Sequence, residues 1–236
     1  LVTILVIFII NIQPARANRN TLNTLKVISS NPVIAIPYIK NSFQFSSPHI
    51  DDIRNDIGKI ANDKLTVSAS ELGKERVVEL INTIAPELRK NFILHPLDIR
   101  THLSLSSMYQ AKYSFTKDKQ DLINAEKIIE DALLKSPKRQ QLIYILSNIK
   151  LQLGKSGEAV MLLEEAIKDN YRIGETYWRL SYTHTVLGNN KKAMEIIDLA
   201  YKSGAKFDKR GEGVVSKILS SLSTKVTTTK TTSSKK

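Results

Sequence analysis

The 236-residue chain is 42% hydrophobic and 25% charged, the balance of an ordinary globular protein, which excludes wholesale disorder and leaves room for a substantial core. Nine Gly and seven Pro argue against a loop-rich β fold, and zero Cys excludes disulfides, thiolate metal sites and a Cys nucleophile. The formal charge of +12 raises nucleic acid or an anionic membrane as partners, but no arginine-rich stripe or nucleic-acid motif accompanies it, and a lysine-rich body with a basic tail accounts for it.

Residues 1–12 (LVTILVIFIINI) carry no charge. As a helix this run reaches roughly 18 Å at about 1.5 Å per residue, short of the ~30 Å hydrocarbon core. It reads either as a signal-peptide core, with Ala15-Arg16-Ala17 as an A-x-A cleavage site, or as the end of a transmembrane helix that begins upstream. The absence of a basic start and of an initiating Met favours a partial transmembrane helix over 1–12. No polar face interrupts the run, which argues against an ordinary buried helix. Arg16, Arg19 and Lys26 follow directly, a flank that the positive-inside rule would place in the cytoplasm.

Residues 13–97 read as a helical linker region. Ser47-Pro48 has the form of an N-cap followed by Pro at the first helical position. Ile50, Ile53, Ile57 and Ile60 then lay one apolar face along a helix. A second pattern from about Glu71 places Val77, Val78, Leu80, Ile81 and Ile84 on one face, and Pro86 should end or kink that helix near Ala85.

Residues 98–205 contain a repeat. Leu146 and Leu180, Ser147 and Ser181, Gly154 and Gly188, Ala159 and Ala193, and Ala166 and Ala200 are each 34 residues apart. Upstream, AEKIIEDAL from Ala125 stands 34 residues before AVMLLEEAI from Ala159, and Pro137 closes that unit. Each unit is two antiparallel helices: Gly154 or Gly188 stops the first, and the alanines allow close packing of the second. Successive pairs stack, because one pair cannot bury its apolar side alone.

These residues resemble the tetratricopeptide repeat. Tyr177, Leu180, Ser181, Gly188, Ala193 and Ala200 match in the last copy, with Ala205 where Pro is usual. Leu146, Ser147, Gly154, Ala159 and Ala166 match in the middle copy, with Tyr171 at the Pro position. In the first copy His102, Leu105, Ser106 and Tyr109 fit, whereas Ser114 to Asp121 looks like an insertion with no turn glycine. The fold expected is therefore all-α, a tetratricopeptide-type helical-hairpin solenoid preceded by a partial transmembrane helix. Residues 206–236 should form a capping helix, with Val214, Val215, Ile218, Leu219 and Leu222 on one face, and from Ser223 a disordered basic tail.

Catalytic chemistry is not indicated. His49, His95, His102 and His184 show no ligand spacing, and His184, where the repeat usually has Tyr, reads as a packed core residue. Asp51-Asp52 near a helix start is favoured by the macrodipole alone. No catalytic residue, metal site or cofactor is expected. The resemblance implies that the first helix of each pair lines a concave groove holding a protein or peptide, with Arg100, Ser107, Tyr144, Asn148, Trp178 and Tyr182 facing it; packing between helices is the competing role for Trp178.

The order of apolar run, PARANRNTLNTLK link and repeats also resembles the C-terminal end of bacterial O-antigen ligase and polymerase-like membrane proteins. HPLDIRTHLSLSSMY and SPKRQQLIYILSNIKLQLGKSGEAVMLLEEAI carry the rest of that likeness. It implies a repeat domain outside the cytoplasm in the bacterial cell envelope, anchored by the N-terminal helix, whose parent's catalytic loops lie upstream. The alternative is a secreted tetratricopeptide scaffold released by signal peptidase after Ala17. A nucleic-acid partner is not expected.

Overall fold

The computed structural model describes residues 8–44 and 47–233, with side chains described as far as Ser221. Those residues form ten α-helices: α1 (Gln13–Ser30), α2 (Ala35–Gln44), α3 (Ile50–Leu94), α4 (Ile99–Thr116), α5 (Lys119–Lys135), α6 (Gln140–Gln152), α7 (Ser156–Asp169), α8 (Gly174–Val186), α9 (Asn190–Lys202) and α10 (Lys209–Ser233). The chain divides into two compact units, 1–135 and 136–236, so the boundary falls inside the stretch 98–205.

In the first unit a single π turn, Phe8–Ile12, leads into α1. Among the described residues no helix is long and apolar enough to cross a membrane. Residues 1–7 of the expected partial transmembrane helix lie outside the described residues. From Gln13 onward polar positions alternate with apolar ones, so α1 is amphipathic and docks through Pro14, Ala17, Thr21, Thr24 and Ile28. Asn31 precedes Pro32, which disfavours helical backbone, and α1 ends there. The chain returns as α2, tied to α1 by Thr24 Oγ1 at 3.2 Å from the Tyr38 carbonyl and 2.8 Å from Ser42 Oγ.

The helix α3 is a hairpin. Its one non-helical residue is Gly73 (φ 75°, ψ 163°), and the arms 50–72 and 74–94 fold back on each other there. Ile53, Ile57, Ala61 and Leu65 on one arm, and Val77, Leu80, Ile81, Ile84 and Leu88 on the other, are buried in one core. Gly58 has no side chain, and a Cβ there would come within 2.8 Å of Leu88 Cδ1.

Two boundary expectations change. Pro86 neither ends nor breaks the helix, which runs on to Leu94. Pro86 and Asn82, whose carbonyl loses its helical donor, both face solvent, so water can satisfy the freed group. The first arm starts at Ile50, because Ser47 Oγ accepts the His49 N–H at 3.2 Å in a turn that precedes the helix.

The hairpin α4/α5 completes this unit and packs on α3 through α4. Its helices are 18 and 17 residues long, against 13 and 14 for α6 and α7. The apparent insertion is therefore extra helix on both sides of the turn. Lys117 takes the left-handed conformation (φ 59°) where the other copies have glycine.

In the second unit α6/α7 and α8/α9 are the two clean repeats. Ala159, Ala166, Ala193 and Ala200 are at most 1% exposed, at the helix contacts their spacing predicts. Each turn is a Schellman motif: Lys155 N–H donates to the Lys150 carbonyl at 2.9 Å, and Asn189 N–H to the His184 carbonyl at 2.8 Å. A third follows α9, where Ala205 N–H donates to the Ala200 carbonyl at 3.0 Å and Gly204 has φ 69°. This turn replaces the usual Pro.

After it, α10 packs against α8 and α9 through Val215 and Ile218. The helix continues to Ser233, past the expected start of a disordered tail at Ser223. Extending a formed helix costs far less than starting one. Residues 234–236 of that tail lie outside the described residues.

Candidate partner-binding site

In the second unit α6 and α8 lie side by side. Tyr144 and Asn148 are one turn apart on α6, and Trp178 and Tyr182 are one turn apart on α8, so each pair shares a helix face. Tyr144 is 6% exposed. Its hydroxyl donates to Gln140 Oε1 at 2.6 Å and lies 2.6 Å from Thr176 Oγ1. Burial, with a smaller contribution from Glu175, pushes the phenol pKa up, against the Thr176 hydrogen bond and the Arg179 charge. The phenol therefore stays protonated and holds the two helices together.

Arg179 is the residue the repeat pattern did not identify. Its guanidinium lies 4.6 Å from the Tyr144 ring centroid and 4.5 Å from that of Trp178. Glu175 Oε1 accepts from Arg179 Nη2 at 2.7 Å and from Nε at 3.0 Å. Cation–π attraction and this ion pair fix the side chain across both rings. Nothing in the spacing marks Arg179, since the repeat leaves its position free.

Trp178 is 8% exposed and belongs to a core with Ile197 and Val215. The capping helix covers its ring, so of the two roles considered it takes the packing one and offers no open anchor. Tyr182, 48% exposed, and Asn148, also exposed, remain open. Val186, one turn beyond Tyr182, is 54% exposed and extends that face.

The first unit holds the other two expected residues. Arg100 is exposed, but both Asp98 carboxylate oxygens engage it, Oδ1 accepting from Nε at 3.0 Å and Oδ2 from Nη2 at 3.1 Å. Burial pushes the Asp98 carboxyl up, and the Arg100 hydrogen bonds more than offset that, leaving its pKa below the ordinary 3.8. Ser107 is half-buried on α4. His102, fully buried, has Nδ1 2.9 Å from the Asp98 carbonyl and Nε2 2.9 Å from Asp131 Oδ2, and Asp131 also pairs with Lys135. Those partners account for it structurally.

A feature absent from the sequence pattern is a cleft of about 900 Å³ between α2 and the second arm of α3, lined by Lys40, Phe43, Lys74, Val78, Glu79 and Asn82 among others. Among the described residues no group of three or more His, Asp or Glu could hold a metal ion.

No protein-family model matches the chain, and no curated protein does. Solved structures do match it. TTC0263, a thermophilic TPR protein in Thermus thermophilus, is 15% identical with a TM-score of 0.55, over 86% of this chain and 98% of its own. The MamA RS-1 ArsTM double mutant is 11% identical with a TM-score of 0.55, over 82% of this chain and 96% of its own. MamA AMB-1 is 13% identical with a TM-score of 0.51, over 81% and 94%. Coverage this broad takes in more than residues 98–205, so the earlier hairpins share in the likeness. At these identities what is established is the fold, and that fold is the tetratricopeptide repeat.

Proposed function

We propose that the chain is a membrane-tethered helical-repeat module for protein–protein interaction, which holds a protein segment against the α6/α8 face. The observation that carries the reading is the state of that face. Tyr182 and Asn148 are open, while Tyr144, Arg179 and Glu175 on the same two helices are held by hydrogen bonds and ring contacts among themselves. Preorganised polar groups on the helices that carry an exposed aromatic lower the ordering cost that binding must overcome. In the first unit Arg100 and Ser107 on α4 are proposed as contacts of that unit by itself, with Arg100 the weaker contributor because Asp98 already occupies its fork.

Membrane attachment through the N-terminal apolar run, placement of the repeats outside the cytoplasm in the bacterial cell envelope, and membership of an O-antigen ligase or polymerase-like parent complete the reading. The run LVTILVIFIINI and the PARANRNTLNTLK link support them. Release by cutting after Ala17 fits less well. Pro14 and Ala17 belong to the docked face of α1, and a secreted form would lose both.

The test is photocrosslinking in cells with a photoreactive phenylalanine at Tyr182, compared with one at Met161, which is exposed on α7. A protein adduct at Tyr182 that disappears with Asn148→Ala is expected. Equal labelling at both positions would remove the face from consideration.

A further inference from the structure

No Asp or Glu precedes Asp51, so the π turn, α1 and α2 carry only positive charge: Arg16, Arg19, Lys26 and Lys40. The docked residues of α1 are Pro14, Ala17, Thr21, Thr24 and Ile28. At about 100° per residue, Ile12, Arg16, Arg19 and Lys26 fall on the opposite side of the helix. All four are exposed, and among the described residues no ion pair engages the three cations. Just ahead of them Ile9 is 51% exposed, Ile10 64% and Ile12 44%. An open aliphatic turn that runs into an acid-free basic stripe is complementary to one kind of surface, hydrocarbon bordered by negative headgroups. The helix bearing it is fixed to the body by Thr24, Ser42 and Asn20.

We propose that the outer face of α1 is an anionic-lipid contact, with Phe8–Ile12 in the acyl boundary and Arg16 and Arg19 at the phosphates. This deepens the tethered reading and rests on it. The geometry grades the cations. Measured from Ile12 along the helix, Arg16 is about 6 Å away, Arg19 about 10 Å and Lys26 about 21 Å. Screening reduces surface attraction over roughly 8 Å at physiological salt. Arg16 lies within that distance and Arg19 reaches it with a long side chain that leans back toward the helix N-terminus, so both act on the headgroups, whereas Lys26 does not.

The experiment is sedimentation of the full 236-residue chain with vesicles of phosphatidylcholine alone and of phosphatidylcholine with phosphatidylglycerol. The chain should bind both, and the anionic vesicles more tightly. Arg16→Gln and Arg19→Gln should each weaken binding to the anionic vesicles about fivefold, and leave the neutral ones unchanged. Lys26→Gln should change neither. Ile9→Gln with Ile10→Gln, both at exposed positions, should reduce binding to both.

Equal binding to the two vesicles, or arginine variants without effect, would overturn the headgroup contact and leave the tether standing. Binding to neither vesicle would overturn the tether, and the contact with it. If duplex DNA competed the protein off anionic vesicles through the same arginines, the face would be a general polyanion site and the lipid assignment would fail.

Discussion

Arg54 Nε lies 3.1 Å from Glu87 Oε2, a bridge between the two arms of one helix, α3. Arg54 Nη1 also donates to Asn91 Oδ1 at 3.1 Å and Asp51 Oδ1 at 2.9 Å, with the Arg54 side chain only 11% exposed. Truncation would leave the Asn91 carbonyl oxygen buried without this donor and Glu87 with only Lys90 opposite. Breaking a buried pair from one side costs about 3–5 kcal/mol, and since Lys90 still neutralises Glu87 the low end applies. Arg54→Ala should lower urea-unfolding stability by about 3 kcal/mol, and Arg54→Met by less. A loss below about 1 kcal/mol would mean that the apolar faces hold the arms together unaided.

Gly73 makes that hairpin possible. Its φ of 75° with ψ of 163° is a backbone state open in practice only to glycine, and a Cβ there would touch nothing within 4 Å. The penalty of a side chain is therefore conformational alone. Gly73→Ala should cost about 1–3 kcal/mol, whereas Gly157→Ala, at an open position in the first turn of α7, should be neutral or slightly stabilising. Matching melting temperatures for the two variants would contradict the hairpin.

The repeats were legible because their chemistry recurs at a fixed offset. Ala159 with Ala193 and Gly154 with Gly188 mark helix contacts and Schellman turns that any stacked hairpin needs. The stretch 13–97 was only half legible. Ile53, Ile57, Val77, Leu80 and Ile84 show which face is apolar, but a face does not name its partner. The fold at Gly73 and the Gly58–Leu88 approach carry no periodic signal. Pro86 misleads because sequence does not say whether the freed carbonyl meets water. At the candidate site, Tyr182 and Asn148 are exposed. Trp178 was ambiguous, because the apolar face of α10 announces a cap without naming the ring it covers.

Gly174 opens α8 where the chain after α9 returns. Its N–H donates to the Lys206 carbonyl at 3.0 Å, and a Cβ would lie 2.5 Å from that oxygen and 2.7 Å from Phe207 Cδ1. The obstacle is backbone, which cannot rotate aside as a side-chain end would. Gly174→Ala should destabilise the chain by about 2–3 kcal/mol and loosen the segment that leads into α10. Hydrogen exchange at the Lys206 amide, which donates to the Arg172 carbonyl at 3.0 Å, should accelerate in step. Unchanged protection there would show that the contact is not limiting.

His184 gives the second unit a pH dependence. Both its ring nitrogens are buried without a hydrogen-bond partner. Burial first, and then the charge of Lys192, push its pKa below the ordinary 6.5, while Glu164 pulls the other way. The unfolded chain thus takes up a proton near pH 6.5 that the folded chain refuses, so the neutral ring's contribution is complete above that pH. Stability falls as the pH drops below it, and levels off once the folded-state pKa is passed. Asp98 and Asp131 act in a separate window. Burial raises both carboxyls, but hydrogen bonds to Arg100 and to Lys135 and His102 leave them below 3.8, so their contribution disappears only in stronger acid. In urea titrations from neutral pH down to about 5, the wild-type chain should lose stability and His184→Phe should lose less. The same decline in both would assign the dependence to another histidine, and His184→Tyr, restoring the residue that tetratricopeptide repeats favour there, should likewise remove this component.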